Sequence, residues 1–195
     1  MKDNKLHIIL LGRRNSGKSS LINALTGQDI SIVSDVAGTT TDLVKRSYEI
    51  PDFASVIFID TAGIDDTGAL GQMRVEKTRN AISQADIALL VITDNQFGEY
   101  EKELAERFKK LKIPFLIIHN KRDEMPLQTS LKDDLSKTYN CPVIDFSTRE
   151  DNTTAILEAL KSVWNKDNTP KSLIGDLLSP GDIVLLITPI DSEAP

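Results

Sequence analysis

Six runs rich in branched and aromatic residues punctuate the chain: LHIILL (6–11), DLVKRSYEI (42–50), ASVIFID (54–60), IALLVIT (87–93), PFLIIH (114–119) and PVIDFS (142–147). Four of them are almost wholly apolar, as strands covered on both faces by helices should be. The second alternates V-K-R-S-Y-E-I and runs into a Pro-Asp turn at 51–52, which predicts an exposed edge strand in an antiparallel hairpin with the third. Between the runs, apolar residues return at helical spacing. Leu21, Ile22 and Leu25 do so early, and Ile156, Leu157, Leu160 and Val163 late. Helices are predicted near 18–26, 70–84, 97–111, 128–138 and 152–165. Strands alternating with helices define an α/β fold: three layers around a mainly parallel six-stranded sheet with one antiparallel edge strand. Right-handed crossovers then gather the loops after the strand C-termini on one rim.

The pattern changes at KDNTPK (166–171), a polar, proline-containing stretch. Residues 1–168 are read as one domain. Residues 169–195 are read as a linker and the truncated start of a second, with too few apolar positions to bury a core alone.

Composition narrows the function classes. The net charge of −6, from 23 basic and 29 acidic residues, disfavours general nucleic-acid binding. No apolar run approaches the roughly 20 residues that span a bilayer, and MKDNK is no signal peptide, so a cytoplasmic location without membrane contact is expected. A single cysteine, Cys141, with only His7 and His119 beside it, shows no disulfide and no multi-ligand metal cluster.

Four motifs fall on the predicted rim. GRRNSGKS (12–19) ends a strand and opens a helix, the context of a P-loop. Gly12 and Gly17 permit backbone angles that turn successive N–H groups inward around an anion, with Asn15, Ser16 and Ser20 in the same cradle. Lys18 can reach the β- and γ-phosphates, and Ser19 can ligate Mg²⁺. Such a pattern arises by chance in about 1% of chains this long; the alternative is a glycine turn that only caps a helix. DTAG (60–63) ends the third strand: Asp60 is placed to hold Mg²⁺ through water, and Gly63 to offer its N–H to a γ-phosphate oxygen. Alone, this motif is weak, and its place beside the P-loop gives it value. NKRD (120–123) follows FLIIH. Asp123 can accept hydrogen bonds from guanine N1–H and the 2-amino group, which adenine lacks, so adenine would strand a carboxylate; Asn120 and Lys121 brace the loop. A charged turn before Pro126 is the bland alternative. VAGTTTD (36–42) supplies Thr40, whose hydroxyl can meet Mg²⁺ and whose N–H can meet the γ-phosphate in a loop that orders with the triphosphate. A fifth element, FSTR (146–149), can donate from the backbone of Ser147 and Thr148 to guanine O6.

These motifs, in this order, resemble the translation-factor-related GTPases of the MnmE, Era and Der branch. GRRNSGKSSLINALTGQDISIVSDVAGTTTD, DTAGIDDTGALGQMRVEKT and the tail SLIGDLLSPGDIVLLITPIDSEAP are similar to the GTPase domain of the HydF family, the [FeFe]-hydrogenase maturation scaffolds. Thr148 departs from the more usual Ser-Ala. The resemblance implies a Mg²⁺-dependent GTP-binding and GTP-hydrolysing switch with GTP/GDP as ligand. It also implies a dimerisation domain, leaving a homodimer open, and an iron–sulfur domain whose ligands this chain lacks. The implied partners are maturation proteins and the hydrogenase apoprotein, with no nucleic acid expected.

Lys18, Thr40 and Gly63 carry the implied catalysis. Ras-type enzymes place a water-orienting Gln directly after the glycine of the second motif; here stands Ile64, which cannot bond water. Gly71 and Gln72 stand near the place of the MnmE-type catalytic Glu, leaving Glu76 or Asp65 as candidates. No arginine finger declares itself, since Arg13 and Arg14 could equally be exposed. Slow turnover is expected, as in unassisted enzymes at about 10⁻⁴ to 10⁻² s⁻¹. Related GTPases with an asparagine at the place of Asn15 use K⁺ instead of a finger, which implies Asn15 and carbonyls near 36–39 as K⁺ ligands. The alternative is that Asn15 only tightens the loop. Trp164 is read as packing, Cys141 as a structural or idle thiol, His119 as a strand-end residue, and Asp65–Asp66 as solvated.

Two clients are compatible with the resemblance: a hydrogenase, for a maturase, or tRNA or ribosome as for MnmE and Era. A nucleotide-dependent interaction module with incidental hydrolysis is the third reading, motivated by Ile64.

Overall fold

Alternate residues of the buried strands belong to opposite layers. In β1 (Leu6–Gly12), Leu6, Ile8 and Leu10 pack into one apolar cluster, and Ile9 and Leu11 into the other. β4 (Ile87–Ile92) repeats this, with Ile87, Leu89 and Val91 on one side and Ala88, Leu90 and Ile92 on the other. β5 (Phe115–His119) does so again. A two-residue period with both faces apolar requires a cover on each side. On the first side lie α1 (Lys18–Thr26), through Leu21, Ile22 and Leu25, and α4 (Thr154–Asp167), through Ile156, Leu160 and Val163. On the second lie α2 (Glu99–Leu111), through Leu104, Ala105 and Phe108, and α3 (Thr129–Tyr139), through Leu135 and Tyr139. Burial of each such Ile or Leu contributes about 1.5–3 kcal/mol, so the two clusters hold the domain together. The computed structural model describes residues 5–27, 44–50, 53–61, 80–150 and 153–167.

With β2 (Val44–Ile50), β3 (Ala54–Asp60) and β6 (Val143–Asp145), the sheet has six strands in the order β2-β3-β1-β4-β5-β6. β1 pairs in parallel with β3 and β4, β4 with β5, and β5 with β6. Among the described residues only β2 and β3 run antiparallel, the hairpin that the alternating pattern predicts. β2 is an edge strand, also as expected. β1 lies between strands reached in opposite directions, so the crevice at its C-terminal end is where ligands bind in open α/β sheets. The P-loop follows that end directly.

Predicted and observed bounds differ by a residue or two. β6 ends at Asp145, with the Phe146 N–H still bonded to the His119 carbonyl at 2.8 Å, and 146–149 form a loop. α2 starts at Glu99, behind Gly98, whose N–H bonds the Glu101 carboxylate at 2.8 Å. Of the helix predicted at 70–84, residues 80–83 are helical and 70–79 lie outside the described residues. Trp164 packs beside the α1/α4 cluster as expected. Cys141 is buried in the opposite cluster, where burial pushes its thiol pKa up to about 12, as suits an idle thiol.

Candidate functional site: a phosphate loop joined to a base loop

Lys18 is the first residue of α1 and is buried. Its ammonium donates to the carbonyls of Gly12 at 2.9 Å and Arg13 at 2.7 Å, drawing the loop around it. Gly17, the residue before α1, has φ of 84° and supplies no side-chain cap to the helix. The Ser16 hydroxyl is buried and has no hydrogen-bond partner among the described residues. An uncapped helix N-terminus, an ammonium and a spare buried hydroxyl thus meet in one turn. That donor set suits a polyphosphate. Asn15, with φ of 61°, and Ser20 are exposed at its edge.

Glycine at 12 and 17 answers two close approaches. A Cβ on Gly12 would lie 2.2 Å from the Val91 carbonyl oxygen, because β4 passes beside the loop. A Cβ on Gly17 would lie 2.2 Å from the Asn120 side-chain nitrogen. The second contact joins two motifs 104 positions apart: the Asn120 amide donates to the Ser16 carbonyl at 3.0 Å. Asn120 is fully buried, and its side-chain oxygen has no partner among the described residues.

The Ser19 hydroxyl donates to Asp60 Oδ2 at 2.5 Å. A hydroxyl and a carboxylate this close form a hard-oxygen pair of the kind Mg²⁺ accepts, and both are solvent-accessible. The residues present therefore fit the ion: Ser19 and Asp60 would hold it. Next to it, Thr61 donates to the Leu10 carbonyl at 2.7 Å, fixing the end of β3 against β1.

Beyond β5, the Asp123 carboxylate accepts from the Ser147 hydroxyl at 2.7 Å and from the Arg149 guanidinium at 3.1 Å. Ser147 first, and Arg149 with it, hold the carboxyl below the usual carboxylate range, so Asp123 is ionised at neutral pH. Thr148 stands beside it, half-buried. Lys121 turns the loop with φ of 64°, and the Arg122 N–H bonds the Phe146 carbonyl at 3.0 Å. An ionised carboxylate therefore stands in the loop after β5, which the Asn120–Ser16 bond joins to the P-loop.

Arg13, whose place the sequence leaves open, is engaged by a carboxylate. It donates from Nε to Glu101 Oε1 at 2.7 Å and from a terminal nitrogen to Oε2 at 3.1 Å, strapping the P-loop to the start of α2. Burial alone would push the Glu101 carboxyl up; the bonds from Arg13 and the Gly98 amide outweigh it and hold the carboxyl low. The strap adds stability at neutral pH that fades as pH falls below the ordinary glutamate value of 4.5. Gly98-x-x-Glu101 has the spacing of a helix-capping pair, but nothing local names Arg13 as the partner. Asp145, which holds His119, and Arg149, which holds Asp123, likewise went unselected by sequence reasoning.

Thr40, Gly63, Ile64, Asp65, Gly71, Gln72 and Glu76 lie outside the described residues, as do 36–39, the expected carbonyl partners of Asn15 for K⁺.

A three-layer sheet with a phosphate loop after β1 and a base loop after β5 defines a P-loop nucleotide-binding protein. The chain belongs to the family described as 50S ribosome-binding GTPase, which matches residues 7–121, and is a GTP-binding GTPase domain of the Era, MnmE and Der type. It is 36% identical over 134 residues to the tRNA modification GTPase MnmE of Hydrogenovibrio crunogenus, covering 68% of this chain and 30% of that protein. It is 40% identical over 126 residues to GTPase Der of Nitratidesulfovibrio vulgaris strain Hildenborough, covering 62% of this chain and 26% of that one. The fold matches a point variant of Aquifex aeolicus Era bound to GDP·AlF₄⁻ with a TM-score of 0.67 and 27% identity, over 80% of this chain and 56% of Era. The chain thus spans less than a third of these MnmE and Der proteins.

Proposed function

We propose that this chain is the Mg²⁺-dependent GTP-hydrolysing switch domain of an [FeFe]-hydrogenase maturation GTPase of the HydF type, stimulated by K⁺ and slow on its own. The observation that carries the nucleotide reading is the Asn120–Ser16 hydrogen bond. It ties the base loop to the phosphate loop, as binding of one nucleoside triphosphate by both would require.

In this reading Lys18 leaves the carbonyls of Gly12 and Arg13 for the β- and γ-phosphates. The Ser16 hydroxyl and the N–H groups at the head of α1 take phosphate oxygens. Ser19, Asp60 and Thr40 hold Mg²⁺, which neutralises charge developing on the phosphates. Gly63 offers its N–H to the γ-phosphate, and Asp123 reads the base, with the Ser147 and Thr148 amides at O6. Phosphoryl transfer to water asks for positioning and charge neutralisation more than covalent chemistry. Arg13 is committed to Glu101, which favours a cation from solution over this arginine as the extra charge, with Asn15 as its ligand. Steady-state hydrolysis in K⁺ against Na⁺ at equal ionic strength tests this: the rate is expected to be several-fold higher in K⁺, and equal rates remove the K⁺ ligand role of Asn15.

The maturase client rests on the segment 12–42 and the tail 172–195, which resemble the HydF family. A second reading, a tRNA or ribosome client, is favoured by the relatives. Those at 36% and 40% identity are a tRNA modification GTPase and GTPase Der, and an Era structure with TM-score 0.67 and 27% identity contains nucleotides 1506–1542 of 16S ribosomal RNA. That Era complex also weakens the expectation, drawn from net charge, that no nucleic acid is bound. The full-length protein separates the two: restoring hydrogenase activity in a maturation-deficient strain supports the first, and co-purifying RNA or a ribosomal subunit without such rescue supports the second.

A further inference from the structure

His119 is the last residue of β5 and immediately precedes the base-reading loop. It is fully buried, on the α2/α3 side of the sheet with Phe115 and Ile117. A histidine there needs partners for both ring nitrogens, and it has them. The Asn95 backbone N–H donates to Nε2 at 3.3 Å, and Nδ1 lies 2.8 Å from Asp145 Oδ1. A backbone N–H only donates, so Nε2 accepts and the proton of the neutral ring sits on Nδ1, facing the carboxylate.

The contacts continue into the far side of the loop. Asp145 Oδ2 accepts from the Leu127 N–H at 3.1 Å. The next N–H, that of Gln128, donates to the Asn95 side-chain oxygen at 2.8 Å. The Asn95 amide nitrogen donates in turn to the Pro126 carbonyl at 3.0 Å. The circuit closes: Asn95 to His119, His119 to Asp145, Asp145 to Leu127, and the Leu127–Gln128 peptide back to Asn95. Asn95 sits at φ of 55° in the turn between β4 and α2, a conformation that Asn tolerates and most residues resist.

This ring grips residues 126–128, while the start of the loop is fixed by the Asn120 N–H on the Ile92 carbonyl at 2.8 Å. Residues 121–125 are therefore held at both ends, and Asp123 is presented between two anchors. We propose that His119, Asp145 and Asn95 are positioning residues for base recognition, setting nucleotide affinity through the loop without touching the nucleotide. The inference rests on reading 120–123 as the guanine loop. The ring would be felt alike by GTP and GDP, since both carry the base, and would not be felt by the chemical step.

The test measures dissociation constants for GTP, GDP and ATP, with KM and kcat for GTP, in the unmodified protein and in Asn95→Gly and His119→Leu. Asn95→Gly removes the side-chain bonds yet suits the positive φ, so it remains informative should His119→Leu fail to fold. The expected result is a three- to tenfold weakening of GTP and GDP together, a matching rise in KM, unchanged kcat and unchanged ATP binding. A folded Asn95→Gly whose thermal midpoint falls while its guanine-to-adenine ratio stays at the unmodified value would overturn the proposal, because that is what a merely structural ring gives. Failure of the unmodified protein to prefer GTP over ATP would instead remove the guanine-loop reading itself.

Discussion

Asp123→Ala is expected to erase the preference for guanine over adenine nucleotides, weakening GTP by about 10³-fold or more while leaving ATP where it was. The size follows from the state of the carboxylate. Ser147 and Arg149 hold it ionised and aimed. Guanine offers two N–H donors to it; adenine offers none and would leave a charge unmatched. Competition of GTP and ATP against a fluorescent guanine nucleotide reads the ratio directly. Ser147→Ala should give a smaller loss in the same direction, since it removes one bond that orients Asp123 and spares the charge. A full preference surviving in Asp123→Ala would mean that another group reads the base.

Lys18→Ala is expected to lower kcat for GTP by about 10²–10³-fold, the usual consequence of deleting one preorganised donor to developing charge. In the structure that ammonium is satisfied by the Gly12 and Arg13 carbonyls. In the proposed mechanism it passes from these carbonyls to the phosphates. Single-turnover hydrolysis with saturating GTP separates this from weakened binding, and circular dichroism shows whether the loop's loss of its internal cation disturbs the fold. A variant hydrolysing at the unmodified rate would remove Lys18 from the catalytic set.

Local pattern made some of this legible. The all-buried IALLVI and FLIIH strands announce a covered sheet, and the alternation of VKRSYEI announces its antiparallel edge. The phosphate and base loops are legible because glycine, lysine and acidic residues at fixed spacing after a strand have few other uses. Their mutual contact was not legible. Gly17 looked like a residue chosen for backbone freedom; the nearer constraint is the Asn120 side chain pressed against it, 103 positions on. Arg13 looked equally able to face solvent, since Glu101 is 88 residues away and only the tertiary fold brings it in. His119 was read as an ordinary strand end, and its register opposite Asp145 across β5 and β6 is what makes it part of a ring. In each case periodicity specifies which face a residue takes and is silent about which distant chain segment meets it there.

The central claim is that the loops after β1 and β5 enclose one guanine nucleotide. Isothermal titration of the folded, unmodified protein with GTP and with ATP, both in Mg²⁺, tests it most directly. The account predicts one site that takes GTP with an affinity at least about 10³-fold above that for ATP; equal affinities, or no binding of either, would contradict it.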